Sequence, residues 1–135
     1  MKIVGFSFEK IAGEKFKEPE KGTLNVNSNF NVIKIQKEEI SSKEDNIHSI
    51  KFEYATTYPE IAKIEFVGKV FVSVDKKLAK EIEKEGAMAI DNKMKEALLN
   101  FVIYKTHIES LKLEENLTLP FHSNIPRVSI KSTSE

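Results

Sequence analysis

Apolar residues recur at every second position in four separate stretches of the first half of this chain, and the pattern then switches to helical spacing. The alternating sets are Val4, Phe6 and Phe8; Leu24, Val26, Phe30 and Val32; Ile50, Phe52 and Tyr54; and Ile64, Phe66, Val70 and Val72. Period two puts the members of each set on one face of a strand. Four such strands need a common apolar cover, and the helical pattern over residues 92–113 supplies it. The expected fold class is therefore α+β: a four-stranded antiparallel sheet covered by one long C-terminal helix, with a short helix before it and an extended apolar tail.

The punctuation between these stretches fixes the connections. Pro19 and Gly22 among charged residues end the first strand in a loop or ragged edge over 13–22. Alternation resumes over 23–36, where the inward set moves from even positions to the odd ones, Ile33 and Ile35; a bulge after Val32 accounts for the shift. Polar residues 41–46 form a turn before a third strand over 47–58. Tyr58-Pro59-Glu60 leaves room only for a tight reversal, so the third strand and the fourth, 61–74, form a hairpin. Lys51-Phe52-Glu53-Tyr54 offers aromatics beside lysine, as an RNA-binding sheet would. Phe52 and Tyr54 nevertheless share the inward parity of Ile50, which assigns them to the core.

Asp75 stands where a helix N-cap belongs, ahead of Leu78, Ala79 and Ile82, and Gly86 closes that short helix. Asp91 opens the long one, about 33 Å if helical to residue 113. Its inner stripe is read as Met94, Ala97, Leu98, Phe101, Val102, Tyr104, Ile108 and Leu111, interrupted by Lys105 and Lys112. Together with the sheet this gives an expected core of Val4, Phe6, Phe8, Phe30, Phe52, Phe66, Val70, Phe101 and Ile108. Leu99 and Ile103 fall on the opposite side of the helix, and Val67 and Phe71 on the second face of the fourth strand. A lone subunit has no use for either patch. All four are expected to be buried between the subunits of a homodimer or homotetramer.

After the helix, Leu117, Leu119, Phe121 and Ile125 alternate around Pro120 and Pro126, which makes this segment an extended strap. Arg127 is the only arginine. Its fork suits a bidentate carboxylate, or a simple ion pair that ties the strap down. One domain over 1–131 and a frayed end at 132–135 complete the expected organisation.

Composition closes off several classes of function. Lys plus Arg equal Asp plus Glu at 21 each, so net charge gives no attraction to nucleic acid or to an anionic membrane. No apolar run is long enough to span a bilayer, and the first residues enter a strand pattern without a signal peptide; the reading is cytoplasmic. Every cation but Arg127 is lysine, and every anion but Asp45, Asp75 and Asp91 is glutamate, a bias that also suits surface ion-pair networks at high temperature. Without cysteine there is no disulfide, thiolate nucleophile or cysteine zinc site. His48, His107 and His122 are dispersed, the glycines form no phosphate cradle, and no GxSxG elbow occurs. Glu38-Glu39 and Glu114-Glu115 lie in polar segments where both carboxylates of a pair should stay ionised and solvated. No catalytic residue, cofactor or metal is expected, and the chain reads as a non-enzyme.

The element order carries one further reading. Four antiparallel strands with a crossing loop after the first, a hairpin between the third and fourth, a long helix and a proline-containing apolar strap resemble the protein-export chaperone SecB and its SecB-like archaeal relatives. The resemblance spans residues 2–130. Its nearest echoes in sequence are Leu117-Thr118-Leu119-Pro120 and Ile125-Pro126-Arg127-Val128. In that family sheets pair into dimers and dimers into tetramers, and extended nonnative polypeptides lie in apolar grooves outside the helices. The resemblance implies a holdase-type chaperone using neither nucleotide nor metal, with Leu117, Leu119, Phe121 and Ile125 as polypeptide-binding positions. Two features differ: SecB is acidic where this chain is neutral, and the strap replaces SecB's second C-terminal helix. The reading from another class is a non-catalytic structural or assembly module, its apolar faces covered by its own subunits or by one fixed protein partner.

Overall fold

The computed structural model describes residues 1–19, 25–39 and 46–120. Leu24, Phe121, His122, Ile125, Arg127 and the end at 132–135 lie outside the described residues. The elements run β1 (Lys2–Lys15), β2 (Asn27–Lys37), β3 (Asn46–Tyr58), β4 (Ala62–Val74), α1 (Lys76–Glu85), a 3₁₀ turn (Gly86–Ala89) and α2 (Asn92–Asn116). The strands form one antiparallel sheet in the order β1-β4-β3-β2, so the β3–β4 hairpin is central and the first two strands are its edges. The reversal at Tyr58 is closed by the Ile61 N–H donating to the Tyr58 carbonyl at 2.9 Å. β1 runs on through Gly13 to Lys15 instead of breaking at Gly13, because Gly13, Glu14 and Lys15 pair with Ile64, Lys63 and Ala62.

Both helix starts are capped as the sequence indicates. The Asp75 carboxylate accepts from the Leu78 N–H at 2.8 Å, and the Asp91 carboxylate accepts from the Met94 N–H at 2.8 Å. Gly86 sits at φ 61°, a conformation that costs a residue without Cβ little, and it ends α1 there. The 3₁₀ turn that follows has no counterpart in the apolar pattern, and it delivers Ile90 into the core.

On the covered side of the sheet the register aligns Ile50 with Val70, Phe52 with Gly68 and Tyr54 with Phe66; β1 adds Phe6 and Phe8 against Val70 and Gly68. Rings from all four strands and α2 make one layer. Phe6 lies 5.7 Å from Phe52, 4.8 Å from Phe8 and 5.8 Å from Phe101, while Phe30 lies 6.0 Å from Phe52 and Phe8 lies 5.9 Å from Phe66. Such spacings are those of favourable aromatic pairs. Gly68 sits under the Phe52 ring. A Cβ there would stand 2.5 Å from the Ser7 carbonyl oxygen and 3.1 Å from that ring, and the carbonyl belongs to backbone already committed to the ladder.

Three register shifts decide which side chains reach this layer. One falls between Val32 and Lys34, so the expected bulge after Val32 is present; Ile35 then pairs inward with Ile50 while Ile33 is half exposed. β1 carries two more, at Val4 and at Glu9. The first corrects the expected core: Ile3 and Phe6 take the inward positions opposite Val72 and Val70, and Val4 is the extra residue between them, 49% exposed. Straight period-two counting cannot see an extra residue.

Two stability predictions follow from this layer. Phe66→Ala empties a fully buried site and should cost about 3–5 kcal/mol in denaturant unfolding. Gly68→Ala adds one methyl where backbone blocks it and should still cost about 1–3 kcal/mol; a wild-type midpoint for Gly68→Ala would show that β1 does not cross there as described.

Candidate functional site

Apolar residues are spread around the whole circumference of α2, so its hydrophobic pattern does not choose which side meets the sheet. The buried line is Leu98, Val102, Thr106, Ser110 and Glu114, successive residues four apart. It begins apolar and becomes small and polar. Thr106 and Ser110 are short enough to let the helix lie close, and the Thr106 hydroxyl donates to its own helix, to the Val102 carbonyl at 2.8 Å, so its burial leaves no unmet donor. Met94, Leu99, Phe101, Leu113 and Leu117 pack alongside this line against the core.

This turns the inner stripe expected from sequence partly outward. Ala97 is exposed, Tyr104 is 76% exposed and Ile108 64%, so Ile108 is not a core residue; Leu111 is half buried, away from the core. Ala97, Phe101, Tyr104, Ile108 and Leu111 follow one another at intervals of four, three, four and three, the spacing of a helix seam that meets another elongated apolar body. The seam is about 21 Å long. The 4-3 interval was present in the sequence and is the signal that apolarity alone hides. Ile103 is exposed on a different side of the helix from this seam, whereas Leu99, expected on the same outer side as Ile103, packs against the core.

The strap positions divide. Leu119 is 6% exposed and part of the core, and Leu117 packs beside it, with Gly13 leaving room for Leu117 and Leu113 at the edge of β1. Their attachment is specific. The Leu119 N–H donates to the Glu114 carbonyl at 2.8 Å, and the Tyr58 hydroxyl donates to the Pro120 carbonyl at 2.7 Å. Glu114 is fully buried, correcting the expectation that it is solvated. Burial pushes the Tyr58 hydroxyl well above its ordinary range, and the neighbouring Glu114 carboxylate pushes it further in the same direction.

Val67 and Phe71 do lie on the sheet's second face and are half buried, but that face is largely ionic. Glu9, the bulge residue of β1, reaches Lys51 at 3.3 Å and Lys69 at 3.5 Å; Glu65 reaches Lys10 at 3.0 Å and Lys63 at 3.9 Å. The hydrogen bond from Lys10 is the main reason the Glu65 carboxyl titrates below its usual range, and its contact with Glu65 is the main reason Glu53 titrates above. Phe71 packs over Gly5, where a Cβ would stand 3.3 Å from its ring, and Val67 is flanked by Lys10 and Glu53.

A separate cavity of about 550 Å³ opens where α1 crosses the end of β2 and β3. Ile35, Ala79 and Ile82 give it an apolar wall; Lys37, Lys76 and Lys80 stand around it with Glu83. His48, 4% exposed, also lines it, its Nδ1 without a hydrogen-bond partner among the described residues. Burial lowers the His48 imidazole below its ordinary value; the Asn46 backbone opposes it, and lesser effects come from Lys37, which lowers it further, and Glu83, which raises it. Among the described residues no group of three or more His, Cys, Asp or Glu side chains is placed to hold a metal ion, and no helix is long and apolar enough to cross a membrane.

Neither a family model nor a curated protein sequence matches the chain. Among solved structures it is similar to the SecB-like chaperone Rv1957 of Mycobacterium tuberculosis, determined in complex with a ChAD peptide from the Rv1956 HigA1 antitoxin. The identity is 12% and the TM-score 0.48, covering 96% of this chain and 92% of that one.

His48 gives the fold a measurable pH response. In the unfolded chain it takes up a proton near its ordinary value of 6.5, and in the fold only at lower pH. Its contribution to stability is therefore full above that value and is lost as pH falls through it toward the lower folded value. Denaturant unfolding at about pH 7.5 and about pH 5.5 should show a loss of stability that shrinks in His48→Gln.

Proposed function

We propose that this chain is a SecB-type holdase: it binds nonnative polypeptide through apolar surface, without nucleotide or metal, as an assembly of at least two copies. The observation that carries the reading is the seam from Ala97 to Leu111 on α2, apolar and elongated, with Ala97, Tyr104 and Ile108 exposed while Phe101 anchors its inner edge against Phe6. A lone exposed Leu or Ile is ordinary; a row of them with aromatic members along one helix face is the form of a protein-binding site. An extended apolar segment can lie along such a row for its whole length. The element order that resembles SecB supports the same class of activity. Ile103, exposed on another side of α2, and Val67 and Phe71 are proposed as smaller contacts between subunits. Because Leu117 and Leu119 are engaged in the core, the proposed client surface rests on Tyr104 and Ile108 in their place.

The 4-3 spacing favours a second reading, a fixed assembly module in which the seam is permanently paired with the same helix of another copy. The two differ in solution. The holdase should suppress light scattering by an aggregating unfolded protein at stoichiometric amounts. Tyr104→Ser with Ile108→Ser should abolish most of that suppression while changing stability by no more than about 0.5 kcal/mol, since both side chains are exposed. Wild-type protein that scatters at no less than twice the chain mass yet protects none of several clients is the module instead. Full suppression by the double variant removes the seam from the argument.

A further inference from the structure

The cavity beneath α1 has the chemistry of a ligand site unrelated to the seam. Lys76, Ala79, Lys80 and Glu83 recur at the three- and four-residue intervals of one helix face, and all four line it. Lys37 and His48 are paired partners in the β2–β3 ladder and enter from the sheet side. Three lysines therefore line one cavity with a single glutamate in a chain whose net charge is zero, and among the described residues none of the three has an ion-pair partner. Holding like charges together without a counter-ion works against the fold, and Lys76 and Lys80 are one helical turn apart. The cavity lining adds an independent sign. His48 is buried and its Nδ1 has no hydrogen-bond partner among the described residues, although a buried polar atom left alone is costly. A ligand oxygen supplies what both groups lack.

We propose that this cavity binds a small organic oxyanion, a carboxylate or phosphate monoester, with its charged end between Lys37, Lys76 and Lys80, one oxygen accepting from His48 Nδ1–H, and its apolar body against Ile35, Ala79 and Ile82. The volume is that of a small-molecule site. An imidazole held neutral by burial keeps one N–H to donate, and an oxyanion fixes that proton on Nδ1.

Heteronuclear NMR titration of the full chain tests this, following the His48 ring and the Ala79 and Lys80 amides with three probes: hexanoate, phenyl phosphate and inorganic phosphate. At least one organic probe should give saturable shifts at these positions in buffer of physiological ionic strength, at least tenfold tighter than inorganic phosphate. Which of the two organic probes saturates first identifies the head group. Lys76→Gln with Lys80→Gln should weaken that binding at least tenfold while leaving the shifts of β3 and β4 in place; Lys37→Gln serves the same purpose if the helix variant unfolds. Absence of saturation with every probe, inorganic phosphate binding as tightly as the organic anions, or unchanged affinity in a folded lysine variant overturns the proposal. None of these outcomes touches the seam on α2, so the holdase reading stands or falls separately.

Discussion

Phe6 and Phe52 come from strands that do not pair with one another, and they stack only because β4, which runs between them, carries Gly68 at the crossing point. Any side chain there would push the Phe52 ring up and collide with the backbone of β1 at Ser7. With the glycine in place, rings from β1, β2, β3 and β4 merge into one layer, and α2 joins it through Phe101. The edge strand is thus held by packing across the sheet as well as by its own ladder to β4. Interiors are close-packed enough that such a layer fixes the position of whatever lies on it, and what lies on it is α2.

The helix meets this layer only with its first half. From Thr106 onward the buried line is small polar side chains and a carboxylate, flanked by Leu113 and Leu117, while Ile108 is exposed and Leu111 lies away from the core. A helix chosen for the stability of one subunit would place Tyr104 and Ile108 inside. The arrangement has a coherent explanation if the outward side is used. Close approach along Thr106 and Ser110 frees the bulky residues for a partner, and the Tyr58, Glu114 and Pro120 contacts hold the far end of the helix without calling on them.

Much of the fold was legible because its signals are local. Strand parity, the Val32 bulge, the Tyr58 reversal and the Asp75 and Asp91 caps each depend on a few neighbouring residues, and each is where the pattern puts it. The misreadings share another cause. Val4 is displaced by a bulge that leaves no mark in residue type, and the apolarity of Tyr104 and Ile108 points inward although their burial does not follow from it. Burial of Thr106, Ser110 and Glu114 is decided by the shape of the facing sheet, which one helix's sequence does not contain. His48 was read as one of three scattered histidines, and only the crossing of α1 over the end of β2 and β3 brings the lysines around it.

The three bulges all fall on β1 and β2, the two outer strands, and none on the central hairpin. An outer strand with an unbroken row of free N–H and C=O groups is a template for any extended chain that drifts past, and irregular edges spoil that template. A protein that displays apolar residues along a helix and meets unfolded chains would be at particular risk of growing into fibres through its sheet. If the seam takes up extended chains as proposed, the irregular edges deny those chains the backbone ladder, and binding would not propagate through the sheet.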